Sequence, residues 1–231
     1  MDWGGYGLKG VSYTAIAALG HLPDGTIDVL FMERITRTTG NVQEATRVLE
    51  LLGLFRASLL GHDYDGAGGA RETILLQAGL PINRVVPLSY LSASAQEMVS
   101  YVAPGENVAR GYYQVDKPRA VTLCCELIKA GCYRFPRFPS WSKKEGDLQS
   151  LSDDFTAATE DKIDLDRASS VLVIRTKPGR SDDTLHALVY GSLAYWHMEQ
   201  RYPDLASRVG VRISAAQQER VSPSNATYDD Q

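Results

Sequence analysis

Arg180-Ser181-Asp182-Asp183-Thr184-Leu185-His186-Ala187-Leu188 follows an apolar run, Ser170 to Ile174, that reads as a strand. It carries the marks of a helix start. Ser181 suits an N-cap, two carboxylates fall in the first turn, and Leu185, Leu188, Val189, Ser192 and Leu193 recur at helical spacing. The predicted helix begins at Ser181 and runs to about Arg201, stopped by Pro203. A strand feeding a helix is an α/β pattern, and it fixes the carboxylates on rigid structure. Acids in a first turn also complement the helix dipole and need no chemistry. What gives the stretch weight is that two other predicted strand ends carry an aspartate.

Working outward, Val11 to Leu19 reads as a strand, Leu22-Pro23-Asp24-Gly25 as a turn and Ile27 to Arg34 as a second strand. Asp2 then sits at the end of a first strand, most of which lies outside the sequence, as in a piece of something longer. Asn41 to Leu52 is predicted as an amphipathic helix capped by Asn41, with Val42, Ala45, Val48, Leu49 and Leu52 on its apolar face. A buried strand, Ala57 to Leu60, runs into the glycine-rich Gly61-His62-Asp63-Tyr64-Asp65-Gly66-Ala67-Gly68-Gly69. Arg71 to Ala78 reads as a short helix, Arg84 to Leu88 as a strand, and Ala93 to Val102 is ambiguous. Asp116 caps a helix with Pro118 in its first turn, Val121, Cys124, Cys125 and Ile128 on one face and Gly131 as its stop. Cys132 to Phe135 is a brief edge strand. Ser140 to Arg167 reads as a polar surface excursion of loops and short helix, anchored by Phe155 and Ala158. These elements make one domain over residues 1–213, with 214–231 as a disordered tail.

The three cysteines, Cys124, Cys125 and Cys132, form no disulfide framework and no metal-binding spacing, so they read as buried thiols in a reducing compartment. No apolar run is long enough for a bilayer and the first residues are not a signal peptide. The net charge of −4 leaves no global footprint for nucleic acid, so such binding would rest on local patches. One is Lys129, Arg134, Arg137, Lys143 and Lys144 interleaved with Phe135, Phe138 and Trp141; the other is Arg175, Lys177 and Arg180 before the acidic helix. A solvated face is the ordinary role of such runs.

Hydrolysis of a phosphodiester by paired metals needs two hard cations about 4 Å apart, hence three or four carboxylates on separate rigid elements. Asp2, Asp63 and the Asp182–Asp183 pair supply that set. Each has an ordinary alternative, as terminal residue, turn former or helix-capping acids. His186, one helical turn beyond Asp182, is a candidate auxiliary, as proton shuttle or phosphate contact, or simply a packed histidine. His62 is expected to point to the other side of its strand. Asp65 is a turn former beside Gly66 or an alternative ligand, and Glu33 and Glu72 are reserve carboxylates.

The order of strands and helices resembles the ribonuclease H and retroviral integrase architecture, a mixed sheet flanked by helices. More specifically, Asp2-Trp3-Gly4-Gly5 with the following Ser12-Tyr13-Thr14-Ala15, then His62-Asp63-Tyr64, then Ser181-Asp182-Asp183-Thr184-Leu185-His186-Ala187, resemble the three acidic motifs of the nuclease domain of tailed-bacteriophage terminase large subunits. Ile128-Lys129-Ala130-Gly131-Cys132-Tyr133-Arg134-Phe135-Pro136 is similar to a further segment of that family. The resemblance implies an endonuclease cutting concatemeric double-stranded viral DNA during genome packaging in the host cell cytoplasm. It implies Asp2, Asp63 and Asp182 as catalytic acids holding two Mg2+ or Mn2+, Asp183 as auxiliary ligand, and the terminase ATPase part, the small subunit and the portal as partners. No GxxxxGK[ST] phosphate loop occurs, so translocation is not implied for this chain. The remaining readings are a junction resolvase or ribonuclease H-like repair nuclease, and an inert packaging module that keeps the fold.

Overall fold

The computed structural model describes residues 1–4, 13–35, 40–91, 97–106, 110–135, 150–164 and 170–200. Strands β1 (Thr14–His21) and β2 (Ile27–Ile35) form an antiparallel hairpin pairing Thr14 with Ile35 and His21 with Ile27. Its turn closes through Leu22 N to Thr26 O at 2.9 Å, with Gly25 at φ 78°; that left-handed conformation is open to glycine at no steric cost. Strand β3 (Leu60–Asp63) lies parallel to β4 (Val85–Leu91), β4 parallel to β6 (Tyr112–Asp116), and β5 (Val99–Val102) closes that edge antiparallel to β6. On the far side β7 (Tyr133–Arg134) pairs parallel with β2.

Residues 1–3 join the two sheets. Asp2 exchanges both backbone hydrogen bonds with Ala15 at 2.9 Å, as an antiparallel pair does, while Met1 donates to Gly61 O at 2.8 Å and accepts from Asp63 N at 3.1 Å. The second pattern is that of a parallel pair. The resulting order is β7-β2-β1-(residues 1–3)-β3-β4-β6-β5, a mixed sheet.

Helices cover both faces, and the alternation of the strands records it. Val85 and Ile16 belong to one core with Met1 and Trp3 of the joining stretch, Ala45, Val48 and Leu51 of helix α1 (Asn41–Leu54) and Leu75 of helix α2 (Gly68–Gln77). Val86, Leu88 and Val115 belong to the other, with Val121 and Leu127 of α3 (Lys117–Lys129) and Leu185, Leu188 and Leu193 of α5 (Asp183–Met198). Helix α5 is buried nearly all round, which marks a central helix rather than a surface one. Gly61 lets it seat on β3, since a Cβ there would meet the carbonyl of Tyr190.

Both ends of α3 are as the sequence predicts: at its start Asp116 accepts from Arg119 N at 3.0 Å, and beyond its end Gly131 turns the chain with φ 69°. Four expectations are corrected. Helix α5 starts at Asp183, with Asp182 as N-cap, because the side chain of Ser181 is drawn onto Asp183. Gly40 caps α1 through the Gln43 side chain, and Val42 is exposed, off the apolar face. The buried strand is Leu60–Asp63, so the glycine-rich stretch begins inside it, and α2 starts at Gly68.

The fourth correction is the largest. The stretch read as a surface excursion holds α4 (Leu151–Ala157) and β8 (Ala158–Asp164), which pairs with β9 (Ser170–Thr176). Leu151, Asp154 and Ala157 of α4 are buried. The aromatic-basic patch beyond Phe135 and the tail 214–231 lie outside the described residues. No helix among the described residues is long and apolar enough to cross a membrane.

Candidate functional site

Asp2 on the joining stretch, Asp63 at the last position of β3, and Asp182 with Asp183 at the start of α5 line one cavity of about 380 Å³. Three separate elements, distant in sequence, thus deliver four carboxylates to one place. It lies at the carboxyl ends of β3 and β4, where the parallel strands give way to loops and ligand sites are commonly built.

The electrostatics record the crowding. Burial, and then the charges of Asp183, Asp63 and Asp182, push the carboxyl of Asp2 well above its usual range. Burial raises Asp63 from 3.8 to about 6, against a backbone hydrogen bond from Asp65 and one from the Tyr190 hydroxyl. Asp183 is also raised, by burial first; the amide of Tyr13 and the hydroxyl of Ser181, at 2.7 Å, donate to its Oδ2 and oppose the shift. Asp182 goes the other way. Burial would raise it, but the hydrogen bond and charge of His186, the hydroxyl of Thr176 at 2.6 Å and the charge of Lys117 together hold it well below the carboxylate range.

An ionised Asp182 only accepts, so His186 donates through Nε2 at 3.0 Å. The other ring nitrogen, Nδ1, lies 3.1 Å from the Tyr90 hydroxyl, which donates to it when the ring is neutral. Tyr90 stacks on Tyr190, ring centroids 4.8 Å apart, and the ammonium of Lys117 stands 5.4 Å from the Tyr90 centroid. His186 therefore orients a ligand candidate while itself lining the cavity.

Asp65 also lines the cavity, but its carboxylate accepts from Ser89 Oγ at 2.6 Å and Tyr90 N at 3.0 Å, a loop-holding role beside Gly66 at φ 56°. His62, fully buried, does face away from the cavity. The Trp3 indole donates to its Nδ1 at 3.0 Å, so Nε2 carries the proton and donates to Glu72 at 2.8 Å, with Arg110 on the other oxygen of Glu72. Glu33 is paired with Arg47 at 2.8 Å. Of the basic residues named from the sequence, the five that fall among the described residues do not line the cavity: Lys129 pairs with Glu126, Arg134 with Asp28, Lys177 donates to Thr156 O, and Arg175 and Arg180 are exposed. Among the described residues the lining cations are Lys117 and Arg71. Arg71 is buried against Glu44 at 2.8 Å and the Trp3 ring at 5.2 Å, which ties the joining stretch to both helices of that face.

Lys117 escapes sequence reading because it appears only as the residue after a helix cap. The register that sets Leu91 of β4 beside Asp116 of β6 brings it to the site. The cysteines lie elsewhere: Cys124 contacts Tyr133 and Ser192 in the core, its thiol pushed up to about 12 by burial. Compared with known proteins, the chain matches no family model, no curated protein and no solved structure.

A clustered set of raised carboxylates destabilises the metal-free protein as they ionise. Asp63 has its folded value at about 6 and its ordinary value at 3.8, so between the two the folded state holds the extra proton. Stability accordingly falls as pH rises through that window and stays reduced above it, and Asp2 and Asp183 act in the same direction. Asp182 contributes oppositely, but only in strong acid, where its depressed carboxyl takes up a proton. The Met1 ammonium, lowered by burial from 8.0 to about 5, acts oppositely between those two values, so the crowding is read by comparison: in chelator the Tm of Asp63→Asn relative to the unsubstituted chain should rise from pH 4 to pH 7, and a difference that does not change with pH would contradict the crowding.

Proposed function

We propose that the chain is a divalent-metal-dependent DNA endonuclease domain of ribonuclease H-like architecture, acting on double-stranded viral DNA in genome packaging. The observation that carries the reading is the convergence of Asp2, Asp63, Asp182 and Asp183 from three elements into one cavity. The strand order supports the architecture: an antiparallel group, the joining stretch, then parallel strands. The packaging context rests on the resemblance of the three acidic motifs.

The donor set fits Mg2+ or Mn2+, since all four candidates are hard carboxylate oxygens and Asp2 has no cationic side chain paired with it among the described residues. Among those residues no three His, Cys, Asp or Glu side chains are already drawn together at metal-holding distances; Asp182 and Asp183 are instead turned onto protein donors. Asp2, Asp63 and Asp182 would hold the ions, with Asp183 as auxiliary. Bound there, a pair of divalent ions supplies an activated water and charge stabilisation at the leaving oxygen.

The chain's own residues perform the rest. His186 holds Asp182 through Nε2 and is itself steadied by the Tyr90 hydroxyl, which limits rotation of the carboxylate. Tyr190 and the Asp65 amide do the same for Asp63. Lys117 places a positive charge beside the acids, where a DNA phosphate would otherwise meet only repulsion.

Plasmid cleavage with Mn2+, Mg2+ or chelator tests the reading; supercoiled DNA untouched under all three conditions would refute it. Lys117→Met should weaken DNA binding by about tenfold and reduce the dependence of log K on log salt by about one. Binding unchanged across a salt series would remove Lys117 from the interface.

A further inference from the structure

Asp2 and Asp63 stand on neighbouring segments that few backbone bonds join: Asp2 pairs with Ala15, and the amide of Asp63 donates to Met1 O at 3.1 Å. The two carboxylates repel, since the charge of Asp63 is among the causes that raise Asp2. A pair of ions about 4 Å apart nevertheless needs ligands held to within about 0.5 Å. What sets the spacing must lie behind the acids. Side chains alternate along extended backbone, so His62 turns away from the cavity that Asp63 faces, and Trp3, next to Asp2, is buried in the core under α1 and α2.

These two neighbours are bonded to each other. The indole Nε1 of Trp3 donates to Nδ1 of His62 at 3.0 Å, Nε2 of His62 donates to Glu72 at 2.8 Å, and Arg110 meets the second oxygen of Glu72 while its Nη2 donates to Val85 O at 2.9 Å. Every role along this line is fixed. An indole only donates. Burial works to raise the carboxyl of Glu72, but its contacts with His62 and then Arg110 hold it below its ordinary value, so it only accepts. The ring between them therefore carries its proton on Nε2. Nδ1 also lies 2.7 Å from the carbonyl of Asp63, an acceptor it would serve if the indole N–H did not hold it bare. Helix α2, which supplies Glu72, is seated on the same place: a Cβ on Gly68 would meet Asp63 O, and Arg71 donates to Gly4 O at 3.0 Å.

We infer that Trp3 and His62 are positioning residues: the indole–imidazole bond, anchored on Glu72 of α2, sets the spacing of Asp2 and Asp63 as metal ligands. The inference rests on the metal-site reading above. Neither side chain needs to touch an ion. The bond joins the residue after one ligand to the residue before the other, so a turn of either segment about its axis strains it. Supporting partners of this kind govern metal affinity by about 10- to 100-fold. Glu72, a reserve carboxylate in the sequence, is thereby the anchor of the pin and not a ligand.

Direct titration of the full chain with Mn2+, followed by the electron paramagnetic resonance of the free ion, tests the pin without relying on cleavage. Trp3→Phe keeps an aromatic ring in the core and removes the N–H. His62→Met removes both bonds of the imidazole, whereas His62→Gln keeps an oxygen for the indole and an N–H for Glu72. Trp3→Phe and His62→Met should each weaken Mn2+ binding by about tenfold, the two together should lose no more than either alone, and His62→Gln should stay close to the unsubstituted chain. His62 is fully buried, so should its variants fail to fold, Trp3→Phe decides alone. A purely structural role would lower Tm and leave the Mn2+ affinity of the folded protein unchanged, which would overturn the proposal. Losses that add in the double variant would make the two side chains independent and overturn the link. An unsubstituted chain that binds no Mn2+ would bring down the metal-site reading itself, and the proposal with it.

Discussion

Asp63→Asn is expected to abolish metal-dependent DNA cleavage, by at least about 10³-fold, while making the metal-free protein more stable at pH 8. The two effects share one cause. Asp63 is a carboxylate held at the last position of β3, largely withdrawn from water and then crowded by the charge of Asp65, so its ordinary 3.8 is raised to about 6. At pH 8 the folded state carries that charge at a cost which the unfolded chain escapes. Asparagine keeps the shape and an oxygen to accept the Asp65 amide, now at 3.1 Å, but removes the charge, so Tm should rise by about 3 °C or more. The same substitution removes a hard anionic donor, and stabilisation of the protein by Mn2+ should shrink with it. A routine core defect would lower both activity and Tm, so the opposed signs separate a functional carboxylate from a structural one. Retained cleavage would remove Asp63 from the site; a lowered Tm would contradict the electrostatic crowding.

The acids were legible in the sequence because each stands at a boundary that local chemistry marks: the end of an apolar run for Asp63, the start of a helical repeat for Asp182 and Asp183. Their convergence in one cavity follows from tertiary register, which the resemblance of three short motifs anticipated and periodicity does not encode. The helix–strand order was readable for the same reason, as α3 has a one-sided apolar repeat and α5 is apolar over most of its length. What was not readable was polar and buried. Asp154 sits in a stretch of Ser, Asp and Glu whose composition reads as solvated surface, yet it is fully buried, because Arg34 and Thr184 meet it from elements 120 and 30 residues away. Tyr90 and Lys117 likewise acquire meaning only from neighbouring strands. The basic residues chosen by sequence proximity to the acids proved to be away from the cavity lining, since closeness along a loop says little about which way a long side chain turns.

Asp154→Ala is expected to cost the fold more than any ligand substitution, about 3 to 5 kcal/mol and therefore about 10 °C in Tm. The carboxylate of Asp154 accepts from the Thr184 amide at 3.1 Å, from the Thr184 hydroxyl, and from Arg34 Nη2 at 2.6 Å, with both side chains of the ion pair almost wholly inaccessible to water. Alanine leaves a helix-terminal N–H without its acceptor and a buried guanidinium without its carboxylate. Arg34 also lies 4.5 Å from the centroid of the Tyr13 ring, and the amide of Tyr13 donates to Asp183. The pair thus braces the first turn of α5, where Asp182 and Asp183 project. Replacing both partners with apolar residues, Arg34→Met with Asp154→Leu, removes the uncompensated charge and should restore much of the lost Tm. It does not restore the acceptor for Thr184, so cleavage should stay depressed in the stable double variant, mainly through a weaker response to Mn2+. Recovery of stability and cleavage together would make the pair a packing element only. Recovery of stability alone would show that the orientation of the Asp182–Asp183 turn depends on a carboxylate that never enters the cavity.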